Sequence, residues 1–366
     1  MPGRVLRERM RHPQVGGQIH EQDTMRALVY HGRNDIRLEE IPVPEIGPGE
    51  ARIRVTNTSI CATDIEEWKY GPTYITFTPT VMGHEVAGRV VEIAPDASGL
   101  AVGDRVMVDN VIVCGVCYWC RSGSQATCPN MEVAGLGRDG GLAEFMTWPA
   151  DHLIKLPDTV KDDEAPLIEP ATVALHAVRR SGVRVGDQVA VIGIGTVGAL
   201  TLQAFKAAGA VVYAVDIRES SLQMAARLGA DQVIDASRGD AGDHLRDLTD
   251  GIGPDIVVET AGAARTPLDA FDWVRRAGTV VLVGIYAVKP EADFNVIVGK
   301  ELRVIGSVAA GTGDMAAAVR LVAEREIRLS ELVSDRISLG RVIPDGFERM
   351  AAESKEVFRI LVSPDA

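Results

Sequence analysis

Residues 187–220 read DQVAVIGIGTVGALTLQAFKAAGAVVYAVDIRES. An apolar run over 188–194 leads into Gly193, Gly195 and Gly198, a helical pattern follows to about Ala208, and a second apolar run ends at Asp216. Glycines spaced in this way punctuate many loops. The force of the signal comes from the strand before them, the helix after them and an acid 18 residues beyond the last glycine. This is the pattern of a dinucleotide site. Gly193 makes the turn, Gly195 lets a pyrophosphate approach the backbone, and Gly198 permits close packing of helix on strand, with the helix N-terminus at Thr196 and Val197 facing the phosphates. Asp216 is expected to bind the adenosine ribose hydroxyls and to repel a 2′-phosphate, which favours NAD over NADP. Arg218, two residues on, pulls the other way.

The alternation of strand and helix continues to residue 309. The apolar runs QVID, DIVVETAG, TVVLVGI and LRVIGSV are separated by helical stretches around SSLQMAARLG, HLRDLTD and PLDAFDWVRRAG. With the first two strands this predicts a six-stranded, doubly wound parallel sheet of the Rossmann kind, so the fold class is α/β. Residues 25–170 differ: short runs such as ARIRVTN, AGRVVEIA and GDRVMVD, broken by Gly and Pro, predict a β-rich unit. After Ser307 come one helical stretch, DMAAAVRLVAER, and a final strand, VFRILVSP, both expected to return to the β-rich unit. The expected division is therefore a loose tail over 1–24, a first domain of 25–170 with 307–366, and a nucleotide-binding domain over 171–306. The tail carries four arginines but no apolar stretch of the kind an export signal needs, and an over-extended start or an added leader explains it as well as targeting does.

Five cysteines bear on the chemistry. Cys114, Cys117, Cys120 and Cys128 lie in CGVCYWCRSGSQATC, residues 114–128, and admit a disulfide knot, a redox centre, a nucleic-acid finger, an iron–sulfur cluster or a zinc staple. No export signal is evident, so a reducing cytoplasm is the expected compartment, where thiols pair with metals more often than with each other. A net charge of −13 argues against a nucleic-acid partner, and no apolar run is long enough to suggest a membrane. Gly115 and Gly123 supply the backbone freedom needed to turn four thiolates onto one ion, and Arg121, Ser122, Ser124 and Gln125 make this a polar loop rather than a core. A closed four-thiolate zinc site is the preferred reading, with a cluster as the alternative.

Cys61 stands apart, in SICATDIEEWKYGP. His84 and Glu85 follow in VMGHEVAG, and Glu169 lies in PLIEPATVALHAV. Singly, these are a small core residue, a turn histidine and a helix N-terminal acid. Together, Cys61, His84 and Glu169 supply the thiolate, imidazole and carboxylate of an open zinc site.

The stretches CATD, GHE, the four-cysteine lobe, GRDGGLAEF, IEPATVALHA and GIGTVG resemble the zinc-dependent medium-chain dehydrogenase/reductase family from Met25 onward. The likeness is to its polyol branch, the sorbitol and 2,3-butanediol dehydrogenases and, more distantly, the threonine dehydrogenases. The resemblance implies a GroES-like first domain with a structural zinc in a lobe over 112–130. It also implies a catalytic zinc on Cys61, His84 and Glu169, with Glu85 as a nearby carboxylate or alternate ligand. Glutamate rather than cysteine at the third position points to the polyol branch. The implied function is oxidation of a secondary alcohol, polyol or vicinal diol, to a ketone, with hydride passing from a zinc-bound alkoxide to NAD and a proton leaving through Thr63. Relatives continue that relay to a histidine, where this chain has Glu66. For substrate contact, Glu67, Tyr70 and Arg138 are polar candidates, and Trp68, Tyr74 and Phe77 suggest a partly apolar pocket. Two zinc ions per chain, a small-molecule substrate and a homotetramer, or else a dimer, complete the expectation. The alternatives are a broad secondary-alcohol dehydrogenase or carbonyl reductase, a threonine dehydrogenase-like enzyme and, from another class, a non-catalytic zinc- and NAD-binding protein.

Overall fold

The computed structural model describes residues 24–239, 241–352 and 357–364. The expectation for the tail 1–24 thus falls outside the described residues except at Thr24, which opens the first strand. That strand, β1 (Thr24–Gly32), pairs with β2 (Asp35–Pro42) and with Thr80–Val81 in a small antiparallel sheet. The alternating ARIRVTN run becomes β3 (Glu50–Ser59), and a helix, α1 (Ala62–Tyr70), follows it directly. Next come β4 (Glu85–Ile93), β5 (Arg105–Val108), β6 (Phe145–Pro149) and β7 (Leu153–Lys155). These close over Ile53, Val55, Val106 and the fully buried Trp148. Helix α2 (Ile168–Ser181), ended by Gly182 at φ 72°, leads into the second unit.

There the valine-rich runs form one parallel sheet. Its strands are β8 (Gln188–Ile192), β9 (Val211–Asp216), β10 (Gln232–Asp235), β11 (Ile256–Glu259), β12 (Thr279–Leu282) and β13 (Arg303–Gly306). The order is β10-β9-β8-β11-β12-β13, with every neighbour parallel. Helices α3 (Thr196–Ala207), α4 (Glu219–Leu228), α5 (Ala241–Leu248) and α6 (Thr266–Trp273) make the crossovers. Side chains of β8 alternate between two cores. Val189 and Val191 join α2 and α3, while Ala190 and Ile192 join Leu245 of α5 and Phe271 of α6. A sheet covered on both faces needs continuous apolar strands, which is what these runs provide. The strand order reverses between β8 and β11, and dinucleotides bind at the carboxyl ends of strands at such a switch point.

After residue 307 the chain divides its loyalties. Helix α7 (Asp314–Ala323) packs Met315, Ala318 and Val322 into a core shared with α2 and α3, which also takes in Ala87, Met107 and Leu361 of the β-rich unit. Strands β14 (Val333–Ser338) and β15 (Arg359–Ser363) do return, pairing in parallel, with β15 antiparallel to β3. The larger sheet of the first unit therefore runs β7-β5-β4-β3-β15-β14, with β6 also on β3. Strand β14, VSDRIS, carries four polar residues on a half-exposed edge, which conceals it in the sequence. No described helix is long and apolar enough to cross a membrane.

Candidate active site

At the switch point, Gly193 turns at φ 88°, and a Cβ there would come within 2.6 Å of the Ala261 methyl. A Cβ on Gly198 would run into the Gly193 carbonyl, whereas one on Gly195 would meet nothing within 4 Å. Gly193 and Gly198 are thus required by the fold, and Gly195 leaves open space above the N-terminus of α3. That is the cradle a pyrophosphate needs. Thr196 opens the helix, but its hydroxyl donates to the Phe358 carbonyl at 2.9 Å, and Val197 is half-buried beside it. Asp216 is buried and accepts from the Ile194 N–H (2.6 Å) and the Arg218 N–H (2.9 Å), with the Arg218 Nε at 3.4 Å. The same carboxylate therefore closes the glycine turn and draws in the neighbouring guanidinium.

The four cysteines of the lobe meet. Sγ separations are 4.0 Å for Cys114–Cys120, 3.9 Å for Cys117–Cys128 and 3.6 Å for Cys114–Cys128. A tetrahedral ion with bonds of about 2.3 Å sets its sulfurs about 3.8 Å apart, whereas a disulfide needs about 2.0 Å and a cluster spreads thiolates over several irons. Local structure supports the arrangement: Cys117 caps a short helix at Tyr118–Arg121, with the Cys120 N–H directed at its sulfur. The N–H groups of Val116 and Cys117 pull the Cys114 thiol down to about 6, toward the thiolate a cation requires.

The second cysteine site is assembled from distant elements. Cys61 is the N-cap of α1, and its N–H is held at 2.8 Å by Asp64. His84 precedes β4 and Glu85 begins it. One ligand atom from each of Cys61, His84 and Glu85 lies within 4.8 Å of the others. The expected third ligand, Glu169 on the first turn of α2, does not join this group. Its Oε1 instead accepts from the Asn110 amide at 3.0 Å, and the expected alternate, Glu85, takes the place. The reason is register: Glu85 lies opposite Ser59 on β3, whose hydroxyl donates to it, and the buried Arg359 of β15 holds its other oxygen at 2.8 Å. Burial pushes Glu169 up to about 7, reinforced by the charge of Glu85, so two carboxylates compete for one centre. Burial alone would lower the His84 imidazole, but the negative charges of Asp64 and Cys61 carry it well above its ordinary value. Its Nδ1 faces Asp64 Oδ1 across an ion-pair distance of 3.4 Å, and neither atom has a hydrogen-bond partner among the described residues. Sulfur, imidazole and carboxylate gathered in a buried setting are the donor set of a zinc centre with an open position.

Asp64 and Arg359 were not picked out by sequence reasoning. Asp64 carried a readable signal, three residues after the cysteine in CATD, whereas Arg359 lies 298 residues away and carried none. Other candidates sort clearly. Thr63 Oγ1 lies 3.7 Å from Cys61 Sγ, beside the centre, and Glu66 is exposed on α1. Glu67 is corrected: it is fully buried and accepts from the N–H groups of Thr73, Tyr74 and Ile75, so it shapes a turn and offers substrate nothing. Arg138 is corrected as well, because it pairs with Glu50 at 2.6 Å and lies over the Trp148 ring. Trp68 packs edge-on against Phe347 in the core, while Tyr70 and Tyr74 are exposed and Phe77 is half-buried.

Comparison with known proteins bears on both units. The profile of the alcohol dehydrogenase GroES-like domain matches residues 47–158, and that of zinc-binding dehydrogenases matches 196–324. Sorbitol dehydrogenase of Bacillus subtilis is 30% identical over 347 residues, covering 93% of this chain and 98% of that one. L-threonine 3-dehydrogenase of Pyrococcus horikoshii is 39% identical over 275 residues, covering 74% and 78%. Among solved structures, 2R,3R-butanediol dehydrogenase of Bacillus subtilis superposes with a TM-score of 0.86 at 33% identity, covering 93% and 99%. A protein described as a zinc-binding dehydrogenase from Sinorhizobium meliloti, solved with NADP, superposes with 0.88 at 31%, covering 94% and 100%.

Proposed function

The chain belongs to the zinc-dependent medium-chain dehydrogenase/reductase family, in its polyol branch, and from that premise we propose that it interconverts a vicinal diol or polyol with the corresponding hydroxyketone, using NAD. One observation carries the reading. Phe358 and Arg359 are adjacent, and the first accepts the hydroxyl of Thr196 at the nucleotide turn while the second contacts Glu85 at 2.8 Å and Cys61 Sγ at 3.7 Å. A single dipeptide thus joins the turn that would cradle the pyrophosphate of the cofactor to the centre that would receive substrate.

Cys61, His84 and Glu85 would hold the catalytic zinc, with Glu169 as a nearby second carboxylate, and Cys114, Cys117, Cys120 and Cys128 would hold a structural one. When bound, the catalytic ion supplies Lewis acidity that lets a substrate hydroxyl lose its proton near neutral pH. Asp64 orients the His84 ring, as carboxylates behind ligand histidines do. Burial raises the Glu85 carboxyl above its ordinary value, and the guanidinium of Arg359 beside it works against that rise by favouring the charged form. Thr63 is placed to take the substrate proton, and Glu66, on the exposed face of the same helix, to pass it to solvent. Asp216 disfavours a 2′-phosphate, so NAD is the cofactor despite Arg218, whose guanidinium is already paired with that carboxylate.

The test is metal content together with a substrate panel. Two zinc ions per chain and NADH formation from vicinal diols or polyols are expected. Turnover of threonine in preference to diols would move the assignment to the second reading, which the Pyrococcus relative favours. No NADH from any alcohol in the zinc-loaded protein would overturn it. Faster turnover with NADP than with NAD would show that Arg218 outweighs Asp216.

A further inference from the structure

Glu259 ends β11, on the far side of the switch point from the glycine turn. Its side chain is fully buried, and every hydrogen bond that it accepts comes from a loop at the carboxyl edge of the sheet. Oε1 takes the N–H groups of Ala261 and Gly262, both at 2.8 Å, and the Thr266 hydroxyl at 2.7 Å. Oε2 takes the Tyr286 hydroxyl at 2.6 Å. One carboxylate therefore bridges the loop after β11 to the loop after β12. Backbone packing shows how tight the joint is: a Cβ on Gly284 would come within 2.6 Å of Glu259 Oε2 and 2.5 Å of the Gly262 nitrogen. The first loop is also pinned to the glycine turn, since Thr260 Oγ1 donates to the Gly193 carbonyl at 2.6 Å.

In a doubly wound sheet one half receives each mononucleotide of the cofactor. Asp216 and the glycine turn assign the adenosine half to β8 and β9, which leaves the nicotinamide half to the loops after β11 and β12. We propose that Glu259 is a positioning residue for the nicotinamide mononucleotide: acting through Tyr286, it locks these two loops into one rim that fixes the ring for hydride exchange. The inference rests on the nucleotide lying across Gly193–Gly198, as proposed above. A carboxylate suits the role because both of its oxygens accept, and four donors converge on it. Burial and the adjoining carboxylate hold the Tyr286 phenol far above its ordinary range, so it stays a donor at all working pH values.

The chemistry of the tether dictates the experiment. In Glu259→Gln the amide oxygen can still accept from Ala261, Gly262 and Thr266, but the amide nitrogen then faces Tyr286, whose hydroxyl must turn from donor to acceptor, so the charge-assisted bridge between loops becomes a weaker neutral one and the loop after β11 is kept. Tyr286→Phe removes the bridge altogether. NADH and ADP-ribose, which lacks the nicotinamide, would be titrated calorimetrically into the zinc-loaded wild type, both single variants and the double variant. The expected result is NADH binding weakened about 10-fold in Tyr286→Phe, by less in Glu259→Gln, and in the double variant no more than in Tyr286→Phe, with ADP-ribose binding unchanged. Parallel weakening of both ligands would make the role merely structural, and unchanged NADH binding or additive losses would equally overturn the proposal. If Glu259→Gln does not fold, Tyr286→Phe alone decides between these outcomes. Gly195→Val is the control for the underlying placement: it fills space that is open in the free protein and should abolish binding of both probes. If it binds them as the wild type does, or if the wild type binds neither, the nucleotide does not lie on the glycine turn, and that placement fails rather than the role of Glu259 alone.

Discussion

In the lobe over 112–130, four thiols drawn from fifteen consecutive residues meet at 3.6–4.0 Å, each placed by turns and a short helix of its own segment. In the candidate catalytic centre Cys61 caps a helix, His84 precedes a strand that Glu85 opens, and Arg359 reaches in from a strand 298 residues beyond Cys61. The first site is a local structure that a cation completes, and the second is a meeting of elements already held together by their own cores. Metal binding should consequently be a term in folding at the lobe and a term in chemistry at Cys61.

That contrast can be broken by exchanging the roles. His84→Ala should lower the turnover of alcohol by at least about 1,000-fold, since Lewis acidity is worth several kcal/mol at the transition state. It should remove one zinc of two and leave the unfolding temperature close to that of the wild type. A variant that unfolds while retaining activity in its folded fraction would reverse the assignment. Cys120→Ser should do the opposite, with a loss of more than about 3 kcal/mol in stability. Proteolysis within the lobe and a changed Trp119 emission should report it, and turnover per folded chain should be retained. Wild-type thermal stability in this variant would mean that the four thiols do not hold a structural ion.

A smaller change sharpens the picture of the catalytic centre. Asp64→Asn keeps size but removes the charge behind the His84 ring, and zinc affinity at that site should fall by about 10- to 100-fold. Competition with a chelator measures it, with the lobe zinc as an internal reference. Equal loss of both ions would show that Asp64 serves the fold and not the ligand.

The smallest expected effect lies where the lobe touches the second unit. Thr312 is hydrogen-bonded to Gln125 of the lobe, and two residues on, Asp314 takes a bond from His176 at 2.7 Å and pairs with Arg179. Burial would raise this carboxyl, but the bonds from His176 and the Gly311 N–H and the charge of Arg179 hold it below its ordinary value. A depressed carboxyl contributes stability that is fully present above the unfolded-state value and is lost as pH falls through the lower folded-state value. Asp314→Asn should therefore cost about 1–2 kcal/mol at neutral pH and little at strongly acidic pH. Denaturant unfolding across that range checks it, and a constant difference at every pH would remove Asp314 from the acid limb.

The comparison between sites also explains what could be read in advance. The Rossmann unit and its glycines were legible because a strand, a turn and a helix N-terminus occupy a dozen residues, and their geometry leaves little choice of residue type. Glu67 and Arg138 misled because membership of a matching stretch says nothing about direction. Glu67 turns inward to three backbone N–H groups, and Arg138 turns away to Glu50. The packing of helix α7 against α2 and α3 was not legible for a related reason, since an amphipathic pattern states that a face is buried and not against what.

By itself, then, the amino-acid order determined the parallel sheet, the nucleotide turn and the four-thiol lobe, all of which depend on spacing within one short segment. Only the tertiary structure decided which carboxylate stands with Cys61 and His84. Glu85 and Leu361 both lie opposite Ser59 in the register of β4 and β15 on β3, and Arg359, two residues before Leu361, projects to the same face. A shift of one residue in either pairing would send one of these side chains to the other face, so the ion pair between Glu85 and Arg359 exists because three strands far apart in the chain are in register.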